Sequence, residues 1–289
     1  MRARNGRDEL ADVQATTDYL LQQLKDDWII GHFANNRLSS VFQPVIAADS
    51  RQIIGHAAYI RCESDQEPVI SPWGIFALAT EDSLLVKLDR LCRTLHALNY
   101  FNAASRAGNL FVSVQPRLLE SVKDDHGQAF AKILDLMQIP TSRVVIEIPA
   151  EVNRNWKLLR HVIGNYRSRG YRIAINHSVT TEDRMAELAS LYPLYPHIVR
   201  LEASALQRCG GAESLVEAAH HFGASVLVHD IETAQQKTAV VESGADLLQG
   251  RALGLPRRAI ETALPEITEE RYPAPTRAYR QPSSKGAPD

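Results

Sequence analysis

Short, nearly continuous apolar runs separated by longer amphipathic stretches organise the middle of the chain. The runs fall at residues 40–45, 53–60, 110–114, 144–148, 172–175, 198–201, 225–228 and 246–248. Their shortness and lack of polar alternation predict strands buried on both faces. Helical spacing of apolar residues marks 75–79, 84–101, 130–137, 156–169, 184–191, 205–222 and 233–243. Strands alternating with helices predict an α/β chain whose parallel sheet closes into a barrel. The first two strands have no helix between them, so they are expected to form an antiparallel hairpin.

The flanks read differently. Leu10, Val13, Leu20, Leu24 and Trp28 recur at helical spacing, with Thr17 as a polar interruption. This stripe predicts an amphipathic helix within residues 1–35, packed on the main domain. The barrel is expected over 36–265. Pro273, Pro275, Pro282 and Pro288 among polar residues mark 266–289 as a disordered tail.

Composition narrows the partners. A chain of 289 residues with 45% hydrophobic and 23% charged residues suits one barrel-sized domain. A formal net charge of -2 carries none of the basic excess that marks a DNA or RNA binder. Cys62, Cys92 and Cys209 show neither CxxC nor zinc-ligand spacing and read as reduced, inert thiols. No apolar run is long enough to insert in a membrane, and the N-terminal stretch is too polar for a signal peptide, so a cytoplasmic chain is expected.

Barrel chemistry sits where strands end and the following loops begin. Reading those ends gives residues 57–61, Gln115, Glu147, Asn176 with His177, Arg200 with Glu202, residues 229–232, and Gln249 with Gly250.

Several of these positions fall inside a longer ordered set. Val41-Phe42-Gln43-Pro44-Val45, Gly55-His56-Ala57-Ala58-Tyr59-Ile60-Arg61 and Ser71-Pro72-Trp73 are followed by Leu88-Asp89-Arg90, Val112-Ser113-Val114-Gln115, Ile146-Glu147-Ile148, Ile231-Glu232-Thr233 and Gln249-Gly250 with Pro256. In this order and spacing the set resembles the EAL family of cyclic di-GMP phosphodiesterases. The resemblance implies a modified (β/α)8 barrel with an antiparallel first strand. It also implies linearisation of cyclic di-GMP with two divalent cations, magnesium or manganese, held by oxygen ligands.

The chain departs from that pattern at nearly every ligand. Ala57-Ala58-Tyr59 replaces the name-giving Glu-Ala-Leu, Gln115 replaces an Asn, and Ala150 replaces a second Glu beyond Glu147. Asn176-His177 replaces paired aspartates, and the loop from Ser178 to Asp183 lacks the usual glycines. Arg200 stands for the Lys associated with the attacking water, Glu202 for an Asp, and His229 for a Glu. A guanidinium is a poor proton acceptor. Glu147 and Glu232 remain, too few to offset two dications.

The resemblance therefore implies a catalytically inactive regulatory module acting through a protein partner, with no cofactor expected. Three alternatives stay open. A metal-independent cyclic di-GMP receptor would use Gln43, Arg61, Glu147, Arg200, Glu232 and Gln249. Residual phosphodiesterase activity would require magnesium or manganese. Glu147, His177 and His229 together would make a zinc set. The family also admits a homodimer.

Overall fold

The N-terminal apolar stripe divides in two. In the computed structural model, which describes residues 6–63, 72–103, 108–121, 126–178, 184–209 and 211–261, helix α1 (Gly6–Thr16) buries Leu10 and Val13 and then stops. Thr17 donates from both its N–H and its hydroxyl to the Val13 carbonyl. The expected helix through Trp28 is instead a hairpin of β1 (Leu21–Gln23) and β2 (Ile29–Phe33). Its turn contains Asp26, whose carboxylate accepts from Trp28 N–H, and Asp27 at φ 61. Leu20, counted in the helical stripe, is 70% exposed. Helical spacing fails here because short polar side chains at a turn offer the backbone a competing set of bonds.

The barrel follows in chain order. β3 (Asn36–Ala47) and β4 (Ile53–Glu63) lead to α2 (Pro72–Leu78), α3 (Asp82–Ala103), β5 (Asn109–Ser113), α4 (Pro116–Ser121), α5 (Gln128–Leu136) and β6 (Val144–Ile148). Then come α6 (Trp156–Ser168), β7 (Arg172–Asn176), α7 (Arg184–Ser190), β8 (Ile198–Glu202), α8 (Ala203–Cys209), α9 (Ala212–His221), β9 (Ser225–His229), α10 (Ala234–Glu242) and β10 (Leu247–Leu248). Strands β4 to β10 run parallel, and β3 closes the ring by pairing antiparallel with both β4 and β10. The expected antiparallel hairpin is thus the closing seam of the barrel. β2 adds outside it, on the Asn36 end of β3. The 205–222 run, read as one helix, divides into α8 and α9, with Gly211 at φ 69 capping the second.

Two apolar regions result. The larger lies between the sheet and the surrounding helices, where Leu88, Leu95, Tyr100 and Tyr166 are fully buried. The smaller plugs the inside of the barrel with Val45, Ala57, Phe111, Val145, Ala174, Ile198 and Leu227. Strand side chains alternate between faces, so the next inward position on each strand lies above this plug. Those positions are Gln43, Tyr59, Ser113, Glu147, Asn176, Arg200 and His229. Sequence features within 64–71 and 179–183, and the expected tail, lie outside the described residues, as do the side chains of Trp73 and Cys209.

Candidate functional site

A hydrogen-bonded polar layer crosses the barrel above the apolar plug. Arg200 on β8 is its centre: Nη1 lies 2.8 Å from Glu147 Oε2 on β6, with both side chains almost wholly buried. The same nitrogen donates to Asn176 Oδ1 on β7 at 3.1 Å. Arg200 Nη2 donates to Gln249 Oε1 at 3.0 Å. Gln249 passes the chain of bonds on, its Nε2 donating to Tyr59 Oη at 2.7 Å and to Gln43 Oε1 at 3.0 Å. Gln43 Nε2 then donates to the Gly254 carbonyl at 2.9 Å. The Ser113 hydroxyl donates to Glu147 Oε2, so the carboxylate is held from two sides.

Electrostatics follow from burial. Desolvation, reinforced by the Glu147 carboxylate, pushes the Tyr59 hydroxyl above its ordinary range, so it stays a neutral member of the network. The His229 hydrogen bond and the Arg200 charge hold the exposed Asp230 carboxyl below the usual range. Burying a guanidinium and a carboxylate is tolerable only when each keeps good partners, and Arg200 keeps three.

The structure joins Gln43, Glu147, Asn176, Arg200 and Gln249 into one network. Tyr59, within the 57–61 strand end, belongs to it as well, as does Ser113, which was not among the sequence candidates and which strand alternation on β5 could have found. The remaining candidates do other things. His177 enters through its backbone, its N–H donating to the Arg200 carbonyl at 2.9 Å. His229 turns to Asp230, Nδ1 to Oδ2 at 3.0 Å. Gln115 lies beside the Asp89 carboxylate, and its carbonyl accepts from Leu118 N–H at the start of α4. Glu232 is exposed, with its N–H held by Gln236. Glu202 accepts from Ser204 at the start of α8. Arg61 is half-buried on β4, opposite Ser39.

Comparison with known proteins places this architecture. The sequence description of the EAL domain matches residues 23–256, most of the chain. The chain belongs to the EAL domain family. Solved EAL structures share the fold. The Bacillus subtilis YkuI protein, solved with cyclic di-GMP and calcium, is 22% identical with a TM-score of 0.62, over 78% of this chain and 56% of its own. The chain thus spans little more than half the length of YkuI. A standalone EAL protein from Vibrio cholerae O395, in its cyclic di-GMP-bound form, is 15% identical with a TM-score of 0.63, covering 81% of this chain and 96% of its own. Klebsiella pneumoniae BlrP1, solved as a manganese and cyclic di-GMP complex, is 18% identical with a TM-score of 0.61, covering 84% and 59%. No curated protein matches the chain in sequence.

The donor set of this EAL domain does not suit a pair of divalent cations. Position 57 offers a methyl group, and Glu147, Asn176 and Gln249 already direct oxygens at a guanidinium. Among the described residues, no group of three or more His, Cys, Asp or Glu side chains is placed to hold a metal. The zinc alternative is not met among the described residues: Glu147 Oε2 is taken by Arg200, and His229 Nδ1 bonds Asp230 Oδ2 instead of turning to a shared point. Among the described residues, no helix is long and apolar enough to cross a membrane.

Proposed function

We propose that the chain is a catalytically inactive EAL module of cyclic di-GMP signalling that works in the cytoplasm by binding a protein partner. The observation that carries this reading is the Arg200 guanidinium, fixed to Glu147, Asn176 and Gln249 inside the barrel. It supports loss of hydrolysis for two physical reasons. A permanent cation at the centre of the oxygen donors repels any divalent ion that would approach them. A guanidinium also holds its proton through the neutral range and so cannot activate water as a base.

A second reading is a metal-independent cyclic di-GMP receptor. It is favoured by Arg200 Nε and Glu147 Oε1, buried atoms with no hydrogen-bond partner among the described residues. Calorimetry with cyclic di-GMP, in manganese and in EDTA, separates the readings. The proposed module gives no turnover in either condition and no heat of binding at ligand concentrations of hundreds of micromolar. Micromolar binding that ignores EDTA selects the receptor, and manganese-dependent appearance of linear dinucleotide overturns both.

A further inference from the structure

Helix α6 presents a face of one charge sign. Between residues 155 and 181 the chain contains no Asp or Glu, yet it holds Lys157, Arg160, Arg167, Arg169 and Arg172. In a chain of net charge -2 this is segregation of charge rather than general basicity. The helix buries Leu159, Val162, Ile163 and Tyr166 against the barrel. Its outer side exposes Trp156, Lys157, Arg160 and Gly164, which with His161 and Asn165 line an open groove of about 550 Å³.

Three details distinguish this face from an ordinary solvated one. Trp156 leaves 39% of its surface in water, an unfavourable position for the residue type that most often anchors protein interfaces. Lys157 sits in the first helical turn, where the helix dipole disfavours a cation, and neither it nor Arg160 forms an ion pair among the described residues. Gly164 lies within the helix, where alanine is intrinsically better, and an added Cβ would meet nothing within 4 Å. Internal packing therefore does not require glycine there, and its missing side chain leaves room for a second backbone to approach. Arg167 is not part of the free charge, since it donates to the Leu194 and Tyr195 carbonyls.

We infer that this face docks an acidic helical segment of a partner protein. Carboxylates of that segment meet Lys157 and Arg160, its apolar side chains cover Trp156, and its backbone closes over Gly164. The inference rests on the reading of the chain as an interaction module and names the surface and the chemistry of its partner.

The test uses the full chain and a synthetic amphipathic helical peptide with Glu along one face and Leu along the other, followed by fluorescence anisotropy. The acidic peptide binds at least about tenfold more tightly than its Lys counterpart, and added salt weakens it. Lys157→Glu with Arg160→Glu reduces affinity by about tenfold or more without lowering the melting temperature. Gly164→Ala raises the melting temperature and weakens the peptide, a combination that damage to the fold cannot produce. Equal affinity for the two peptides, wild-type affinity of the charge-reversed chain, or preference for a DNA duplex or phosphatidylserine vesicles overturns the inference. A partner identified independently that still binds the charge-reversed chain at full strength removes α6 but keeps the module reading. A chain for which no partner exists loses both.

Discussion

Arg200 and Glu147 face each other at 2.8 Å inside the barrel, and each keeps less than a tenth of its side chain in contact with solvent. The cost of separating them is asymmetric. Arg200→Met leaves a buried carboxylate without its cation and should destabilise the chain by about 3–5 kcal/mol. Glu147→Gln added to that variant removes the stranded charge and should recover most of the loss. Urea unfolding of the two variants checks this; equal destabilisation by both would mean that the pair contributes no coupling.

The same residue sets the response to divalent ions. With the guanidinium in place, manganese and EDTA should leave the melting temperature unchanged. Arg200→Ala exposes oxygens of Glu147, Asn176 and Gln249 to a common space, so manganese should raise the melting temperature of that variant in a concentration-dependent way. A manganese-dependent rise in the wild-type chain would contradict the assignment of Arg200 as the resident cation.

Acid should loosen the fold well before the carboxylates titrate. Burial lowers His56 to about 4, and burial with the Arg93 charge lowers His96 to about 3. His96 Nδ1 lies 2.8 Å from Ser40 Oγ, and His56 Nδ1 lies 3.3 Å from Tyr100 Oη. Both rings are neutral in the folded chain, whereas the unfolded chain takes up their protons below the ordinary histidine value of 6.5. Their contribution is therefore complete above that value and is lost as pH falls toward 4 for His56 and 3 for His96. The combined loss by pH 4 is on the order of a few kcal/mol. His96→Asn should flatten the fall in urea midpoint between pH 7 and 4.5; an unchanged slope would exclude His96 as a source.

Gly250 holds the loop that aims Gln249. A Cβ at this position would lie 2.2 Å from the Ile231 carbonyl oxygen and 2.4 Å from its nitrogen, both backbone atoms with little freedom to move. Ile231 N–H donates to the Gln249 carbonyl, and Ala252 N–H donates back to Ile231. Gly250→Ala should cost about 2 kcal/mol or more by forcing these segments apart. Thermal unfolding measures the loss, and a neutral substitution would show that the loop yields more readily than its bonding implies.

The barrel was legible because its strands are buried on both faces and its helices on one, so the two periodicities separate cleanly. The N-terminal stripe was not. Leu20, Leu24 and Trp28 fit helical spacing, but tertiary pairing of β2 with β3 and the turn at Asp26 and Asp27 override it. At the site, the sequence located Gln43, Glu147, Asn176, Arg200 and Gln249 through strand ends and resemblance. It could not show which nitrogen meets which oxygen, and that geometry puts Arg200 at the centre of the layer. His229 and Gln115 illustrate the same limit: each stands at a strand end, yet one bonds its neighbour and the other works through its backbone.

The hairpin that rides on β3 has a mechanical meaning. Ile29 exchanges both backbone hydrogen bonds with the Asn99 side chain, N–H to Oδ1 at 2.7 Å and Nδ2 to carbonyl at 2.8 Å. Asn99 lies on α3, the helix that also packs against β5 and carries Asp89 beside Gln115. A pull on the N-terminal hairpin is consequently borne by α3 and delivered to the end of β5, so the two share one load path across the wall of the barrel.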